Sequence, residues 1–220
     1  MLNQEEIKNK IIRKIKVCLA LRGKIVIEGC TSSEELAYLA GLVSNGNIKL
    51  VGEVGFNAGF SSYIFLDTNP DIKVVSFDLV KYSYVKSAKK MIDKKFPGRH
   101  ILIYGDSKQT LPKFAEENPD IHFDLVFIDG GHDYKTAKSD IINLRRLSTK
   151  DTIVIIDDLT PWLHWGKGPT KAWSEAIQEG LIVQKNSIKM EGLLVVSNHQ
   201  GSGAGLWDIT HFRPGGFFIL

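Results

Sequence analysis

The 220-residue chain is poor in the features that mark secreted or membrane proteins: it has only 2 cysteines and no long apolar run. Cys18 and Cys30 lack the spacing of a metal site or a redox motif, so we expect both to be reduced residues of the core. No run approaches the ~18 apolar residues of a membrane span, and the first residues do not resemble a signal peptide. These absences predict a cytoplasmic protein without a membrane span.

No excess of charge of one sign is present either: the formal net charge is +3, and 43% of the residues are hydrophobic. Such a composition is typical of a globular domain, and the length suits one domain that needs no disulfide or metal to fold. A net charge of +3 is too small to indicate nucleic acid as a partner on its own, and we do not expect such a partner. We predict a single domain over 1–220, with a helical extension at 1–48, a core at 49–198 and a tail at 199–220.

Short apolar runs alternate with amphipathic stretches from residue 49 onward. The runs are rich in β-branched residues, as strands buried on both faces require, and they are Lys49–Val54, Lys73–Asp78, His100–Tyr104, Asp124–Asp129 and Thr152–Asp157. Helical patterns lie between them, at 61–66, 84–96, 111–117 and 135–147. The alternation predicts an α/β fold with a mostly parallel sheet. Two later runs, at 181–184 and 193–197, predict an antiparallel hairpin at the sheet edge.

Two further helices are expected before the sheet. Residues 5–21 have apolar positions at helical spacing with basic residues between them, a pattern typical of an amphipathic helix. Residues 31–35 are typical of a helix start, in which Ser32 and Glu35 have the spacing of a capping box ahead of the apolar residues of 36–43. The first helix could pack on the sheet or on a second copy of the chain, so the pattern is compatible with a homodimer.

The ends of the predicted strands contain the polar residues, and ligands of open parallel sheets bind at those ends. The first strand leads into a glycine-rich turn from Glu53 to Ser61, where backbone can approach a ligand closely. Alone, this turn is a weak signal. Asp78 ends the second strand, where an acid can bind a ribose diol. Asp106 and Ser107 follow the third strand and could meet an adenine edge.

With these strand ends in this order, residues 49–197 resemble the class I S-adenosylmethionine-dependent methyltransferases. The resemblance implies a Rossmann-like sheet of seven strands, mostly parallel, with helices on both faces and an antiparallel last strand. It also implies S-adenosyl-L-methionine as the cofactor, bound by residues of the turn and the next strand ends. These are Glu53, Gly55, Phe56, Asn57, Gly59, Ser61, Asp78, Asp106, Ser107 and Asp129.

Carboxylates also stand at the ends of the fourth and fifth strands. Asp129, Asp157 and Asp158 offer hard oxygen ligands, which suit Mg²⁺ or Mn²⁺, and without a cation they would repel one another. The pattern resembles the cation-dependent O-methyltransferases of the catechol and caffeoyl-coenzyme-A type. It also resembles the sugar O-methyltransferases of antibiotic and glycan pathways, in which Asp-Gly-(Gly/Asp)-His is the usual form.

His132 decides between these relatives, because the catechol-type enzymes have a lysine at its position. Histidine has an ordinary pKa of ~6.5 and can accept a proton near neutral pH. We therefore predict a metal-assisted O-methyltransferase that acts on a small hydroxylated substrate, with a sugar or glycan favoured. His132 would be the base, next to Asp129. The chain lacks the Asn/Asp-Pro-Pro-aromatic motif of enzymes that methylate base amino groups.

Three of the 4 tryptophans lie in the stretch 160–173, beside glycines and prolines that favour a loop. Trp162, His164 and Trp165 could contact the substrate, and His164 is a second candidate for the base. The plain alternative is a loop that packs on its own helix.

Three other functions are compatible with the sequence. One is a metal-independent methyltransferase acting on another small molecule or on an RNA ribose. Another is an NAD-dependent oxidoreductase, and the last is a non-catalytic copy of the fold.

Overall fold

A computed structural model describes residues 7–21, 23, 27, 29, 31–44, 46–184 and 194–197 of the chain. A π-helical turn, Ile7–Ile12, precedes the first α-helix. The helices are α1 (Arg13–Ala20), α2 (Ser33–Val43), α3 (Phe60–Thr68), α4 (Ser83–Lys95), α5 (Ser107–Glu117), α6 (Tyr134–Arg145) and α7 (Lys167–Gln178). The strands are β1 (Leu50–Val54), β2 (Lys73–Asp78), β3 (His100–Tyr104), β4 (Phe123–Ile128), β5 (Ser148–Ile156) and β6 (Leu194–Ser197).

The strands form one sheet in the order β3-β2-β1-β4-β5-β6. The first five strands pair in parallel. From β1 the chain moves outward to β3 and then returns to add β4 on the other side of β1. The carboxyl ends of β1 and β4 therefore flank the switch point at which ligands bind in such sheets. The predicted Rossmann-like α/β fold is confirmed.

The last strand pairs antiparallel with β5, with Leu194 opposite Ile156 and Ser197 opposite Ile153. The predicted run at 181–184 is not a full strand, because only Val183 of these four residues forms a bridge. The link at 185–193, the tail at 199–220 and Cys30 lie outside the described residues. A seventh strand therefore stays a prediction.

Helices cover both faces of the sheet, as predicted. One apolar core lies between the sheet and α1 to α4, and it includes Val51, Leu125, Phe127 and Ile155 from the strands. The opposite core lies between the sheet and α5 to α7, and it includes Val54, Val126, Ile128 and Ile156. Neighbouring residues of each strand enter opposite cores because side chains alternate across a strand.

The segment before the sheet packs on the first core. Ile15 and Leu19 of α1 are fully buried there, whereas Cys18 is only half-buried. The predicted capping box is present at the start of α2, where the Ser32 side chain accepts from the Glu35 N–H and the Glu35 side chain accepts from the Ser32 N–H. The helix begins at Ser33, as expected for a capping box in which Ser32 is the N-cap residue.

The predicted loop at 160–173 is wrong in its second half, since α7 begins at Lys167. Pro169 is compatible with this helix because first-turn N–H groups have no intrahelical acceptor. Trp173 is 3% exposed and packs in the second core. The apolar face of the segment, and not its glycine and proline content, decided its structure.

Candidate active site

The glycine-rich turn after β1 brings the ends of β1 and β4 together. Gly55 has a φ of 95°, and a Cβ added to it would lie 1.8 Å from the carbonyl oxygen of Asp129. The Asp129 N–H donates to the carbonyl of Val54 at 2.8 Å. Gly59, with a φ of 77°, is the left-handed residue from which α3 starts. These two positions require glycine, and the turn they form directs the N-terminus of α3 to the switch point.

Asp78 holds this turn in place. Its Oδ2 accepts the N–H groups of Phe56 and Asn57, both at 2.9 Å, and its Oδ1 accepts the N–H of Val80 at 2.6 Å. An ionised carboxylate has about four acceptor positions, so the half-buried Asp78 keeps capacity for a ligand hydroxyl. Its contact with a ribose stays a prediction. The sequence did not predict that Asp78 fixes the turn. The two N–H groups that it accepts belong to the turn after β1, more than twenty residues earlier in the chain, and no local pattern indicates such a contact.

Glu53 lies beneath the turn with no exposed surface. It accepts hydrogen bonds from the hydroxyls of Ser61, of Ser62 at 2.5 Å and of Ser76 at 2.5 Å. Burial raises the pKa of the Glu53 carboxyl, and the three hydroxyls oppose that rise. Glu53 thus links β1, β2 and α3, and any direct contact of Glu53 with the cofactor stays a prediction.

His100, the first residue of β3, is the last member of this buried polar group. Its Nε2 lies 2.9 Å from the hydroxyl of Ser76, and its ring stacks on Phe56 with centroids 4.9 Å apart. Burial lowers the pKa of His100 to about 3, so the ring is neutral at physiological pH. Phe56, which is 1% exposed, therefore packs inward as part of the support of the turn.

The third strand end presents Asp106 and Ser107 at the surface of the site. Asp106 caps α5 by accepting the N–H of Lys108 at 3.0 Å, and Ser107 is the first residue of that helix. The Asp140 side chain of α6 is fully buried, and neither of its carboxylate oxygens has a hydrogen-bond partner among the described residues. Asp106 and Ser107, the two predicted adenine contacts, are half-buried at the N-terminus of α5. A ligand can reach residues in this position.

Asp129, His132 and Asp158 converge at the ends of β4 and β5. One ligand atom from each lies within 4.8 Å of the other two. His132 Nε2 is 2.8 Å from Asp158 Oδ2. Asp158 has a φ of 59°, which is uncommon for a residue other than glycine. Two carboxylates and an imidazole at this spacing can hold a divalent cation.

The electrostatics of this group favour a positive charge. Burial, and then the neighbouring Asp158 and Glu35 carboxylates, raise the pKa of Asp129 well above its ordinary value. The hydrogen bond to Asp158 raises the pKa of His132. Because carboxylates crowd together with little solvent, a cation would relieve their repulsion. The residues present therefore fit a hard divalent ion.

Asp157, the third predicted metal ligand, has a different neighbour. Its carboxyl contacts that of Glu35, from the first turn of α2, and burial followed by the charges of Asp129 and Glu35 raises its pKa. The sequence pattern indicated only a capping box for Glu35. Nothing local reveals the contact, because Glu35 and Asp157 are distant in the chain.

The start of α7 shapes the loop that contains His132. A Cβ added to Gly168 would lie 2.3 Å from the carbonyl oxygen of His132 and 2.7 Å from the backbone nitrogen of Tyr134. The loop and helix are therefore in direct backbone contact. The signal that could have revealed this is the Gly-Pro pair at 168–169, which is suited to the first turn of a helix in close packing.

Trp162, His164 and Trp165 lie between β5 and α7. The two tryptophan side chains are 46% and 48% exposed, and His164 is also exposed. Both tryptophans follow Asp157 and Asp158 within eight residues of the chain, and their contact with substrate stays a prediction. Within the described residues, no helix is long and apolar enough to cross a membrane.

Comparisons with known proteins agree with this geometry. Comparison with curated protein sequences gave no significant match. The structure is similar to the O-methyltransferase of Bacillus cereus in complex with S-adenosylhomocysteine, with a TM-score of 0.69 and 15% identity over 88% of this chain and 96% of that chain. It is also similar to CalS11, the TDP-rhamnose 3'-O-methyltransferase of calicheamicin biosynthesis, with a TM-score of 0.61 and 17% identity over 88% and 90% of the two chains.

A third similar structure is the O-methyltransferase TomG of Streptomyces achromogenes, solved with S-adenosylmethionine, with a TM-score of 0.66 and 15% identity over 90% of this chain and 100% of that chain. At these identities the similarity shows the fold. Residues 53–159 match a protein family whose description is 'methyltransferase domain'. This range includes the carboxyl ends of β1 to β5. This match favours a methyltransferase over the NAD-dependent oxidoreductase. Over residues 53–159 the chain is thus similar to a methyltransferase domain, and two of the structures with a similar fold were solved with S-adenosylhomocysteine or S-adenosylmethionine.

Proposed function

We propose that this protein is a divalent-cation-assisted O-methyltransferase that methylates a hydroxyl of a small molecule, with a sugar or glycan as the favoured substrate class. The observation that supports it most is the convergence of Asp129, His132 and Asp158 beside the glycine-rich turn. The switch point then has a cofactor side, on β1 to β3, and a substrate side, on β4 and β5.

On the cofactor side, the residues bind and orient S-adenosylmethionine, which supplies a methyl group on a sulfonium. Asp78 fixes the turn and would accept a ribose hydroxyl. Asp106 and Ser107 would meet the adenine, and Glu53 supports the turn from below through Ser61 and Ser62. Positioning of this kind supplies much of the rate of a direct methyl transfer.

On the substrate side, His132 takes the proton of the reacting hydroxyl. When His132 Nε2–H donates to Asp158, the neutral ring keeps a lone pair on Nδ1, which is then the accepting atom. The substrate oxygen forms the new bond to the methyl carbon as the carbon–sulfur bond breaks. The products are the methyl ether and S-adenosylhomocysteine, with the proton left on His132.

The cation would be held by carboxylate oxygens of Asp129 and Asp158, with Asp157 close by. Asp158 uses Oδ2 for His132, and its second oxygen suits a cation. A bound Mg²⁺ or Mn²⁺ lowers the pKa of a hydroxyl and stabilises the developing negative charge. Asp158 thus orients His132 as well as providing a ligand atom.

Two observations support a sugar-like substrate. The Asp-Gly-Gly-His sequence at 129–132 resembles the sugar O-methyltransferases, and one similar structure is described as a TDP-rhamnose 3'-O-methyltransferase. Trp162 and Trp165 are exposed and follow the acidic residues Asp157 and Asp158 closely in the chain, and aromatic rings suit the apolar faces of sugars. No nucleic acid is needed for this activity.

The test is a methyl-transfer assay with labelled S-adenosylmethionine and a panel of hydroxylated acceptors that includes nucleotide sugars. We expect activity that is lost with a chelator and restored by Mg²⁺ or Mn²⁺. Activity indifferent to the chelator would instead establish the metal-independent methyltransferase. His132→Gln should lose most turnover while it keeps S-adenosylhomocysteine binding, and His164→Gln is the matched control. Loss of turnover in His164→Gln alone would reassign the base.

Three further expectations belong to this proposal. We infer a seven-stranded sheet whose last strand is reversed, supported by the antiparallel pairing of β6 with β5. A homodimer and a cytoplasmic location stay predictions from the sequence. Because Ile15 and Leu19 pack on the first core, α1 does not need a second copy of the chain to bury its apolar face.

A further inference from the structure

Glu35 is a buried carboxylate that the proposed reaction does not yet use. It lies in the first turn of α2, and only 4% of its surface is exposed. Its Oε2 accepts the N–H of Ser32 at 2.7 Å, which completes the capping box. Its Oε1 is buried and makes no hydrogen bond to any part of the chain that the structure describes. Capping explains one oxygen of Glu35 and leaves the other unexplained.

The Glu35 carboxyl, with its Oε1 unpaired among the described residues, faces the acidic residues at the ends of β4 and β5. The Glu35 carboxyl contacts that of Asp157 and interacts with the charge of Asp158, and its own charge acts on Asp129. Ionised carboxylates only accept hydrogen bonds, so two in contact need a proton or a cation between them. A buried carboxylate without such a partner is costly.

The apolar part of α2 explains why Glu35 lies there. Leu36, Leu39 and Val43 are fully buried in the first core, so the helix is packed against the sheet independently of its acidic first turn. That packing places Glu35 beside strand ends more than ninety residues away in the chain. The adjacent Glu34 is exposed, so the same turn presents one carboxylate to solvent and one to the site.

We propose that Glu35 is a further carboxylate of the cation site, acting with Asp157, and that a bound cation ties the first turn of α2 to the ends of β4 and β5. This inference rests on the cation dependence proposed above and adds the segment before the sheet to the site. Without the cation, like charges oppose the docking of this turn. With it, the same charges hold the turn in place.

The test measures cation binding by the full chain, without turnover. Mn²⁺ is titrated into the wild type, Glu35→Gln and Glu34→Gln, and bound Mn²⁺ is followed by electron paramagnetic resonance. We expect Glu35→Gln to weaken Mn²⁺ binding by about 10- to 100-fold, the range for groups that support metal ligands. Glu34→Gln removes the same charge from the same helical turn and should bind Mn²⁺ like the wild type.

Two more variants separate cation binding from helix capping. Ser32→Ala removes the hydroxyl that accepts the Glu35 N–H at 3.1 Å and leaves the Glu35 carboxylate, so Mn²⁺ affinity should not change. Glu35→Asp keeps the charge on a shorter side chain and should bind Mn²⁺ with intermediate affinity. If Glu35→Gln does not fold, the comparison of Glu35→Asp with Ser32→Ala still tests the proposal.

Amide hydrogen exchange gives an independent readout. Mg²⁺ should slow exchange in the first turn of α2 in the wild type and in Glu34→Gln, but not in Glu35→Gln. Wild-type Mn²⁺ affinity in Glu35→Gln, or equal affinity in Glu35→Asp and Ser32→Ala, would overturn the role of Glu35 and leave the proposed function intact. A wild-type chain that binds no Mn²⁺ would overturn the cation dependence itself, and this inference with it.

Discussion

His132 Nε2 and Asp158 Oδ2 lie 2.8 Å apart, so the proposed base and a proposed cation ligand share a hydrogen bond. The two residues come from the ends of neighbouring parallel strands. The backbone of Asp158 has a φ of 59°, which is uncommon for a residue other than glycine. The contact between the two residues joins proton transfer and cation binding, and it can be tested without knowing the substrate.

Asp158→Asn should lower the pKa of His132. The Asp158 hydrogen bond raises that pKa, so its loss moves the transition between the charged and neutral ring to lower pH. Asparagine also tolerates a positive φ, so this substitution should disturb the backbone at position 158 least. The measurement is a proton NMR titration of the cation-free protein, with His132→Gln used to assign the signal. An unchanged titration midpoint would mean that the two residues do not interact in solution.

Gly55→Ala should unfold or strongly destabilise the protein and abolish S-adenosylhomocysteine binding. The added Cβ would lie 1.8 Å from the carbonyl oxygen of Asp129, and backbone cannot move away as a side chain can. Gly98→Ala is the matched control, since Gly98 has a φ of 73° and nothing within 4 Å of an added Cβ. We expect Gly98→Ala to cost only about 1–2 kcal/mol of unfolding free energy. Chemical unfolding and calorimetry compare the two variants, and equal losses would contradict the close approach of β1 and β4.

Asp78→Asn should weaken cofactor binding, because the glycine-rich turn that we expect to bind the cofactor loses part of its support. Asp78 accepts the N–H groups of Phe56 and Asn57 with one oxygen and that of Val80 with the other. An amide has a single acceptor oxygen, so at least one N–H group loses its partner, at a cost of about 1–3 kcal/mol.

Titration with S-adenosylhomocysteine measures this effect of Asp78→Asn. Asp71→Asn is the control, because the Asp71 side chain is 66% exposed and pairs with Lys49 at the opposite end of β2. Similar affinities for the two variants would show that Asp78 does not hold the turn.

Asp140 should make the protein less stable as pH rises. Burial raises the pKa of Asp140 from 3.8 to about 7, so the folded protein keeps a proton that the unfolded chain releases. The unfolded state therefore binds fewer protons between about pH 4 and pH 7, and the unfolding free energy falls across that interval. The loss from this group is at most roughly 4 kcal/mol, at 1.36 kcal/mol per pKa unit.

Asp140→Asn tests this by removing the titration while keeping the size of the side chain. The stability of the variant relative to the wild type should increase from pH 4 to pH 7, as measured by denaturant unfolding. His100 acts in the opposite direction, because its pKa of about 3 lies below its ordinary 6.5 and favours unfolding as pH falls. The difference between Asp140→Asn and wild type cancels the His100 contribution. A difference independent of pH would contradict the buried, protonated state of Asp140.

Local patterns were sufficient for most of the fold. The strands at 73–78 and 100–104 have the predicted bounds, and the capping box at Ser32 is present. The prediction failed at α7, where the glycine and proline content indicated a loop. There the burial of Trp173 in the second core outweighed local propensity.

For the site, the sequence was sufficient to name most of the chemical groups. Acidic residues at the ends of parallel strands must meet at one edge of the sheet, and so the positions of Asp129 and Asp158 in the chain predict that they lie together. The order of the strands decided the rest. It brought the carboxyl end of β4 beside β1, directed Asp78 to the glycine-rich turn and placed Glu35 against Asp157. Such contacts depend on backbone direction and on packing between distant segments, and no local pattern of residue types contains that information.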